Sequence, residues 1–236
     1  MKLTYIYHSG FVVEGENATI VFDYFKDSDD AFIRHRLPSF PGKMYVLASH
    51  AHPDHFREDI MKWKQQRPDI RYILSRDILQ KRPAGPPDAH YLEKGDLWSD
   101  DRLHVRAFGS TDVGVSFLVE TEGKQIFHAG DLNNWHWKDE STEDEVRESD
   151  KHFLSELADI RQTVARVDLA MFPVDPRLGT DYMLGAKQFV DRIRVDLFSP
   201  MHFGRAYAQA AAFKPFAERA GCRFAAWKTQ GESIEF

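Results

Sequence analysis

Apolar positions along the chain form short runs that predict strands near the start and strands alternating with helices later. Residues 2–23 consist of β-branched and aromatic runs around a turn at residues 14–17, which is typical of antiparallel strands joined tightly. Residues 44–48 and 70–74 are further apolar runs, and residues 59–66 between them follow a helical pattern. This order predicts two parallel strands joined by a helix.

The rest of the chain continues this alternation. Apolar residues recur at steps of three or four between Phe153 and Val167, which predicts an amphipathic helix whose acidic start suits a helix amino terminus. Pro215 is expected to kink or split the last helix, at residues 208–220. The remaining predicted elements are a helix face at residues 186–193 and strands at residues 103–108, 113–120, 125–128, 169–172, 196–201 and 223–226.

Two stretches interrupt the strand and helix patterns. Residues 24–43 are charged and contain two prolines, and residues 82–90 are rich in proline, so both are predicted to be irregular loops that could overhang a site. No repeat, linker or low-complexity tract divides the chain. We therefore expect a mixed α/β (α+β) fold and one domain over residues 1–236, because 42% hydrophobic residues at this length can form a sizeable core.

Charge and cysteine content argue against several classes of function. The net charge is −6 and no stretch gathers basic residues with aromatic ones, so nucleic acid is not an expected partner. Cys222 is the only cysteine, which rules out an internal disulfide and is compatible with a reducing compartment. The amino terminus lacks the apolar core of a signal peptide, and no apolar run has the roughly 20 residues needed to cross a bilayer. A cytoplasmic protein that does not contact membranes is predicted.

The most distinctive stretch is residues 49–56, which directly follow a buried apolar run. It places three imidazoles and a carboxylate close together, and these are the usual nitrogen and oxygen donors to zinc. If the strand stays extended through residue 52, His50 and His52 project from the same side and can share one ion. Asp54 is a candidate cap for the following helix, and Asp54 and His55 would then serve an adjacent ion. The alternative is three unrelated histidines on a polar loop.

This stretch resembles the His-x-His-x-Asp-His signature of the metallo-β-lactamase superfamily. Residues 127–131 are similar to the later strand end that supplies a bridging aspartate, and residues 199–204 to the element that carries the last histidine. Residues 8–14 and 20–23 are similar to the opening hairpin of the sugar-lactonase-like branch. The resemblance implies a four-layer αββα sandwich, in which two mixed sheets pack face to face with helices outside. It also implies one or two divalent ions, with zinc expected and manganese or iron as alternatives.

The resemblance assigns roles to individual ligands. Asp54, His55 and His202 would hold the second metal position, and Asp131 would bridge the two ions. Asp54 or Asp131 would also orient the reacting water.

The first metal position departs from the family pattern. The family adds a third histidine from a later loop to the pair His50 and His52, but Ser110 stands at or near that place here. A serine hydroxyl is a poor zinc ligand beside imidazole and carboxylate. Asp112 either replaces the missing donor or caps a turn of its loop, and in the second case this position binds metal weakly or stays empty.

Five further residues have roles that the sequence leaves open. His8 either borders the metal pocket or is a solvated residue at a strand end, and His128 lies either in the core or behind the ligands. His136, between two tryptophans, is a candidate proton donor, although ordinary packing also explains the tryptophans. Asp175 and Arg177 follow a strand and are predicted to form the rim of the pocket.

The ligand set predicts a metal-dependent hydrolase in which a metal-activated water attacks a small ester, lactone, thioester or phosphodiester. The alternative function is a metal-binding sensor or scaffold of the same fold that lost turnover with the third histidine. A di-iron oxidoreductase is a third reading, but it normally needs a flavin module, for which we expect no room in this chain.

Overall fold

The computed structural model describes residues 1–81 and 89–236. In this part of the chain, fourteen strands form two seven-stranded sheets. The first sheet contains β1 (Lys2–Tyr7), β2 (Gly10–Glu14), β3 (Ala18–Phe22), β4 (Lys43–Ala48), β5 (Arg71–Ser75) and β6 (His90–Leu92). The second contains β7 (Leu97–Ser99), β8 (His104–Phe108), β9 (Ser116–Thr121), β10 (Lys124–His128), β11 (Arg166–Pro173), β12 (Arg194–Met201) and β13 (Arg223–Phe224). The last strand, β14 (Ser233–Glu235), returns to the first sheet beside β1.

Each sheet is antiparallel in one half and parallel in the other. The strand order of the first sheet is β14-β1-β2-β3-β4-β5-β6, and the ladders from β3 to β6 are parallel. The order of the second is β13-β12-β11-β10-β9-β8-β7, and the ladders from β10 to β13 are parallel. Tight turns suffice for the antiparallel neighbours, whereas the parallel ones need longer crossovers. The carboxyl ends of the parallel strands are the edge at which ligand sites form in such sheets.

The two faces of the first sheet are buried against different layers. One face packs on the second sheet in a core that includes Phe11, Phe22 and Phe127. The opposite face packs in a separate cluster with Ile33 and Ile60, which belong to helical segments outside the sheet. Strands buried on both faces appear as continuous apolar runs, which is why the alternation of apolar and polar residues is weak here. The predicted four-layer αββα sandwich is confirmed.

Helices cover the outer faces and connect the parallel strands. Described α-helices are α1 (Phe32–Arg36), α2 (Arg76–Lys81), α3 (Glu143–Arg161), α4 (Leu184–Val190), α5 (Tyr207–Ala211) and α6 (Lys214–Arg219), and 3₁₀ helices lie at Leu37–Ser39, Glu58–Gln65 and Pro176–Leu178. Helix α3 begins with a reciprocal capping box between Thr142 and Glu145, as its acidic start suggests. None of the described helices combines the length and the apolar composition that crossing a bilayer requires.

Several predicted elements need correction. The segment after the histidine motif is a 3₁₀ helix preceded by Arg57, so Asp54 does not cap it. Residues 24–43 contain α1 and a 3₁₀ helix, and Arg67 holds this segment by donating to the carbonyl groups of Phe40 and Gly42 at 2.8 Å each. The apolar repeat that ends at Val167 runs past the helix, because that residue is already part of β11. Most of the predicted loop at residues 82–90 lies outside the described residues.

The predicted break at Pro215 is confirmed. Helix α5 ends at Ala211, and Pro215 lies in the first turn of α6, where its missing N–H costs nothing.

A glycine lets the loop before β9 lie against the end of β4. Gly114 has φ of 77°, and a β carbon on it would overlap the carbonyl oxygen of Ser49 and lie 2.5 Å from the β carbon of His50. We expect Gly114→Ala to lower the free energy of unfolding by about 2–4 kcal/mol, from the left-handed backbone plus the steric clash. Gly123→Ala is the matched control, because Gly123 has φ of 74° with no atom within 4 Å. Equal losses for both variants in urea unfolding would contradict the clash.

Candidate metal centre

The histidine motif leaves the sheet earlier than predicted and folds back on itself. Strand β4 ends at Ala48, so His50 and His52 are not on an extended strand, yet their rings lie 4.6 Å apart. The amides of His55 and Phe56 both donate to the carbonyl of His52 at 3.0 Å, which closes a tight turn. This turn directs His55 towards the same interior space as His50, and both side chains are fully buried.

The second sheet brings two more candidate ligands to this space. Asp131 lies three residues beyond the end of β10, and His202 directly follows β12. The chain can approach β4 this closely because Gly130 has no side chain, since a β carbon there would lie 2.7 Å from that of Ser49. The carboxyl ends of the central strands of both sheets therefore meet at one place.

The carboxylate of Asp131 is at the centre of the histidines. Its Oδ1 lies 3.1 Å from Nε2 of His55 and 3.2 Å from Nε2 of His202, and its Oδ2 lies 3.3 Å from Nε2 of His50. One carboxylate thus faces two groups of imidazoles with different oxygens. A carboxylate placed in this way would be able to serve two ions, one with each oxygen.

Buried polar atoms without hydrogen-bond partners concentrate here. Among the described residues they include Oδ1 of Asp131 and Nε2 of His8, His50, His55 and His202. Each such atom costs about 1–3 kcal/mol when it lacks a partner, so a cluster of them calls for a common partner. Ligands about 2.1 Å from a shared ion lie roughly 3.0–3.4 Å from one another in octahedral or tetrahedral geometry. The separations around Asp131, 3.1–3.3 Å, fall in this interval, so the residues fit a divalent cation.

A hydrogen-bond network around Asp23 holds the Nδ1 atoms of His55 and His50. This fully buried carboxylate accepts from the amide of Ser49 at 2.7 Å, from its hydroxyl at 2.6 Å and from Nδ1 of His55 at 2.7 Å. Because the Ser49 hydroxyl donates to Asp23, it must accept at 3.0 Å from Nδ1 of His50. Both rings therefore carry a proton on Nδ1 and point Nε2 at the centre.

Asp175 holds the Nδ1 atom of His202 in the same way. Its Oδ2 lies 2.9 Å from Nδ1 of His202, and it also pairs with Arg177 at 2.6 Å. The side chain of Asp175 is only 1% exposed, and it lines a pocket on the side of His8 but not the pocket that contains Asp131. Arg177 does line the pocket, and 60% of its side chain is exposed.

The candidate ligands divide into two groups, in each of which the donor atoms lie within 4.8 Å of one another. The first contains His50, His52, Asp112 and Asp131; the second contains His8, Asp54, His55 and His202. In the first, Nδ1 of His52 lies 3.6 Å from Oδ2 of Asp112, and both side chains are more than a third exposed. The hydroxyl of Ser110 accepts from the amide of Asp112 at 3.4 Å.

The electrostatics of the site favour a positive charge at its centre. Burial lowers the pKa of His55, but the carboxylates of Asp131 and Asp23 raise it to about 10. Burial raises the pKa of Asp131, yet His55 and His202 hold it well below its usual range. His8 is different, because burial lowers its pKa to about 4 despite the neighbouring Asp54. Its imidazole is neutral at pH 7, which is the form that binds metal.

Two pockets open beside the centre. The first has a volume of about 290 Å³ and is lined by Asp54, Thr111, Asp112, Asp131, Trp135, Trp137, Arg177 and His202. The second, of about 300 Å³, is lined by Tyr7, His8, Phe25, Asp54, Asp175, Pro176, Arg177, Phe203, Gly204 and Ala206. Only Asp54 and Arg177 occur in both sets.

Two predicted candidates lie away from these pockets. His136 is 1% exposed; its Nδ1 accepts from the amide of Lys138 and its Nε2 donates to the carbonyl of Asp181. These contacts leave no nitrogen for the proton-donor role. His128 lies in the core, where its Nε2 donates to the carbonyl of Ser9 at 2.9 Å and its ring stacks on Phe22.

Sequence reasoning missed the role of Asp23 and left that of His8 undecided. Both are polar residues that directly follow an apolar strand, β3 and β1 respectively. Both have positive φ, 41° and 57°, which turns their side chains out of the sheet pattern. The single sequence contains no periodic signal for such a turn, so only the position at a strand end could have drawn attention to them.

Comparisons with known proteins agree with this geometry. The model of the "Beta-lactamase superfamily domain" matches residues 2–147. A UPF0173 metal-dependent hydrolase of Desulforamulus reducens is 25% identical over 220 residues, covering 86% of this chain and 84% of the relative. A second, from Korarchaeum cryptofilum, is 21% identical over 211 residues and covers 86% and 83%.

Solved structures show the same fold. Igni18, a metallo hydrolase of Ignicoccus hospitalis, superposes with a TM-score of 0.70 at 19% identity and covers 100% of this chain and 98% of its own. A putative metal-dependent hydrolase of Parabacteroides distasonis gives a TM-score of 0.66 at 17% identity, with 97% and 93% covered. Because the family model covers more than half of the chain, including the histidine motif and Asp131, the chain belongs to the β-lactamase superfamily.

Proposed function

We propose that the protein is a metal-dependent hydrolase of small molecules. The observation that carries this proposal is the set of buried imidazole and carboxylate atoms that face one another without hydrogen-bond partners. The relatives from Desulforamulus reducens and Korarchaeum cryptofilum, which are named as metal-dependent hydrolases, support the same activity.

Two positions would hold divalent ions. His50, His52 and Asp112 would serve the first and Asp54, His55 and His202 the second, and Asp131 would serve both, because one of its oxygens faces His50 and the other faces His55 and His202. The mixture of imidazole and carboxylate donors suits zinc, and it also accommodates manganese or iron.

When bound, such an ion lowers the pKa of a coordinated water towards about 7 and polarises a carbonyl or phosphoryl oxygen. The carboxylates of Asp54 and Asp131 both line the first pocket, where they can accept hydrogen bonds from the attacking water and orient it. Asp23 and Asp175 keep the ligand rings in one orientation, so the site needs little rearrangement during the reaction.

The lining and the volume of the first pocket support a small ester, lactone, thioester or phosphodiester as the substrate. The rings of Trp135 and Trp137 lie nearly parallel, at 15°, and form an apolar wall. Arg177 provides a positive charge that stabilises negative charge developing on the substrate. A volume of about 290 Å³ is at the lower end of the range for small-molecule sites, which disfavours polymer substrates.

A substrate panel tests the activity directly. We expect the zinc- or manganese-loaded protein to hydrolyse at least one class among lactones, esters, thioesters and phosphodiesters. The activity should disappear in a chelator and return with added metal. Protein that binds metal but turns over no class in the panel would favour the sensor or scaffold function instead.

Removal of single ligands tests the metal positions. We expect His50→Ala to weaken binding at the first position and His202→Ala at the second, each by at least about tenfold, because each removes a donor from the metal. Elemental analysis after dialysis against limiting metal gives the occupancy. His104→Ala, at an exposed histidine of β8, is the control and should retain all metal. Native stoichiometry in both ligand variants would rule out the assignment.

The missing third histidine generates a separate prediction. If Asp112 is the replacement donor, Asp112→Asn should lower affinity at the first position by about tenfold, whereas Ser110→His should add no ion, since the position is already supplied. Titration of chelator-stripped protein with zinc measures both effects. Asp191→Asn, at an exposed aspartate after α4, is the matched control. A second ion gained only in Ser110→His would show that Asp112 is not a ligand.

A further inference from the structure

His8 lies at the tight turn between β1 and β2, and its side chain reaches the second metal position. Its ring centroid is 4.1 Å from that of His202 and 5.9 Å from that of His55. Its Nε2 lies 3.4 Å from Oδ2 of Asp54. This is the separation expected between two ligands of one ion bound at about 2.1 Å.

Contact with Asp54 alone does not explain the position of His8. The Nε2 atom is buried and has no hydrogen-bond partner, since the approach to Asp54 fails the geometry of a hydrogen bond. The Asp54 side chain is 41% exposed, so water can satisfy it without a histidine. Like the Nε2 atoms of His50, His55 and His202 around Asp131, this nitrogen is buried without a hydrogen-bond partner.

The backbone of His8 is held in an unfavourable conformation. Its φ is 57°, in the left-handed region where the β carbon of an L-residue is crowded and glycine is preferred. The amide of His8 donates to the hydroxyl of Tyr5 at 3.0 Å, and its carbonyl accepts from the amide of His202 at 3.1 Å. These bonds couple the turn to the backbone of a candidate ligand. Such strain persists when the rest of the structure enforces it, and it is typical of functional sites.

We propose that His8 is a further protein ligand of the second metal position, beside Asp54, His55, His202 and the shared carboxylate of Asp131. This inference rests on the metal-dependent function proposed above. With four side chains and an oxygen of Asp131 nearby, this position has enough donors to be closed by protein, as structural zinc sites are.

A difference between the two positions follows from this ligand set. The first position relies on His52 and Asp112, which are 37% and 44% exposed, and so keeps coordination sites that water and substrate can reach. The second position would bind its ion more tightly and exchange it more slowly. Its ion would mainly hold His202 and Asp54 in place beside the pocket.

Replacing His8 by glycine distinguishes metal binding from backbone strain. Loss of a ligand should lower the metal affinity, whereas relief of strain should maintain or raise the stability of the metal-free protein. In chelator-stripped full-length protein, His8→Gly should unfold at the same or a higher urea concentration, since the left-handed strain is removed. The affinity of the tighter-binding position for Co²⁺ or Zn²⁺ should fall at least about tenfold. The visible spectrum of the Co²⁺ protein should change as well, because an imidazole leaves the coordination sphere.

Two further variants distinguish ligation from other roles. Ala31→Gly relieves a similar backbone strain, at φ of 56° in front of α1, and should leave metal affinity unchanged. His8→Asn tolerates the left-handed backbone and keeps an N–H donor on the side chain, but it lacks the imidazole. Weak metal binding in both His8 variants supports ligation, and native affinity in His8→Asn would show that His8 only orients Asp54.

The outcomes also separate this inference from the proposed function. Native protein that binds neither Co²⁺ nor Zn²⁺ would overturn the metal-dependent function and the role of His8 together. Native protein that binds metal with the same affinity and spectrum as His8→Gly would overturn the role of His8 alone.

Discussion

The structure depends on burying a carboxylate among imidazoles where the two sheets meet. Asp131 has an exposed side-chain fraction of 8%, and the histidines around it are almost completely buried. Desolvation of such a group costs several kcal/mol unless opposite charge and hydrogen bonds compensate. Here the partners of Asp131 point nitrogen atoms at it, and each bears a hydrogen-bonded proton on its other side. The arrangement therefore favours a positive charge at the centre, which a bound divalent cation would supply.

This requirement explains where the chain accepts unfavourable backbone geometry. His8, Asp23 and His202 all have positive φ, between 41° and 65°, although none is glycine. Each directly follows a strand and turns its side chain from the sheet into the site. Gly114 and Gly130 allow neighbouring loops to approach the end of β4 at Ser49. At the site, strain and close approach therefore lie at the ends of strands, while the rigid sheets behind them fix the positions of the side chains.

Much of the fold and part of the site could be predicted from the sequence. The strand order of the βαβ unit, the break at Pro215 and the layered architecture follow from apolar periodicity and proline chemistry, together with the family resemblance. The ligand motif was visible because its donors are adjacent in sequence. The roles of Asp23 and Asp175 depend on contacts across 32 and 27 residues, which no local pattern encodes. The contacts of His136 could not be predicted for a similar reason, because one of its partners, the carbonyl of Asp181, is 45 residues away.

The unequal exposure of the two metal positions indicates how a substrate would approach. The tryptophan-lined pocket contains Asp112 of the first position and also Asp54, Asp131 and His202, so its occupant would lie over both ions. The other pocket contains His8 and apolar side chains such as Phe25 and Phe203, and it shares Asp54 and Arg177 with the first. Polar chemistry is thus concentrated on the side of Trp135 and Trp137. Under the proposed function, an apolar substituent of the substrate would extend to the opposite side, and Arg177, which lines both pockets, would hold a negatively charged group between the two.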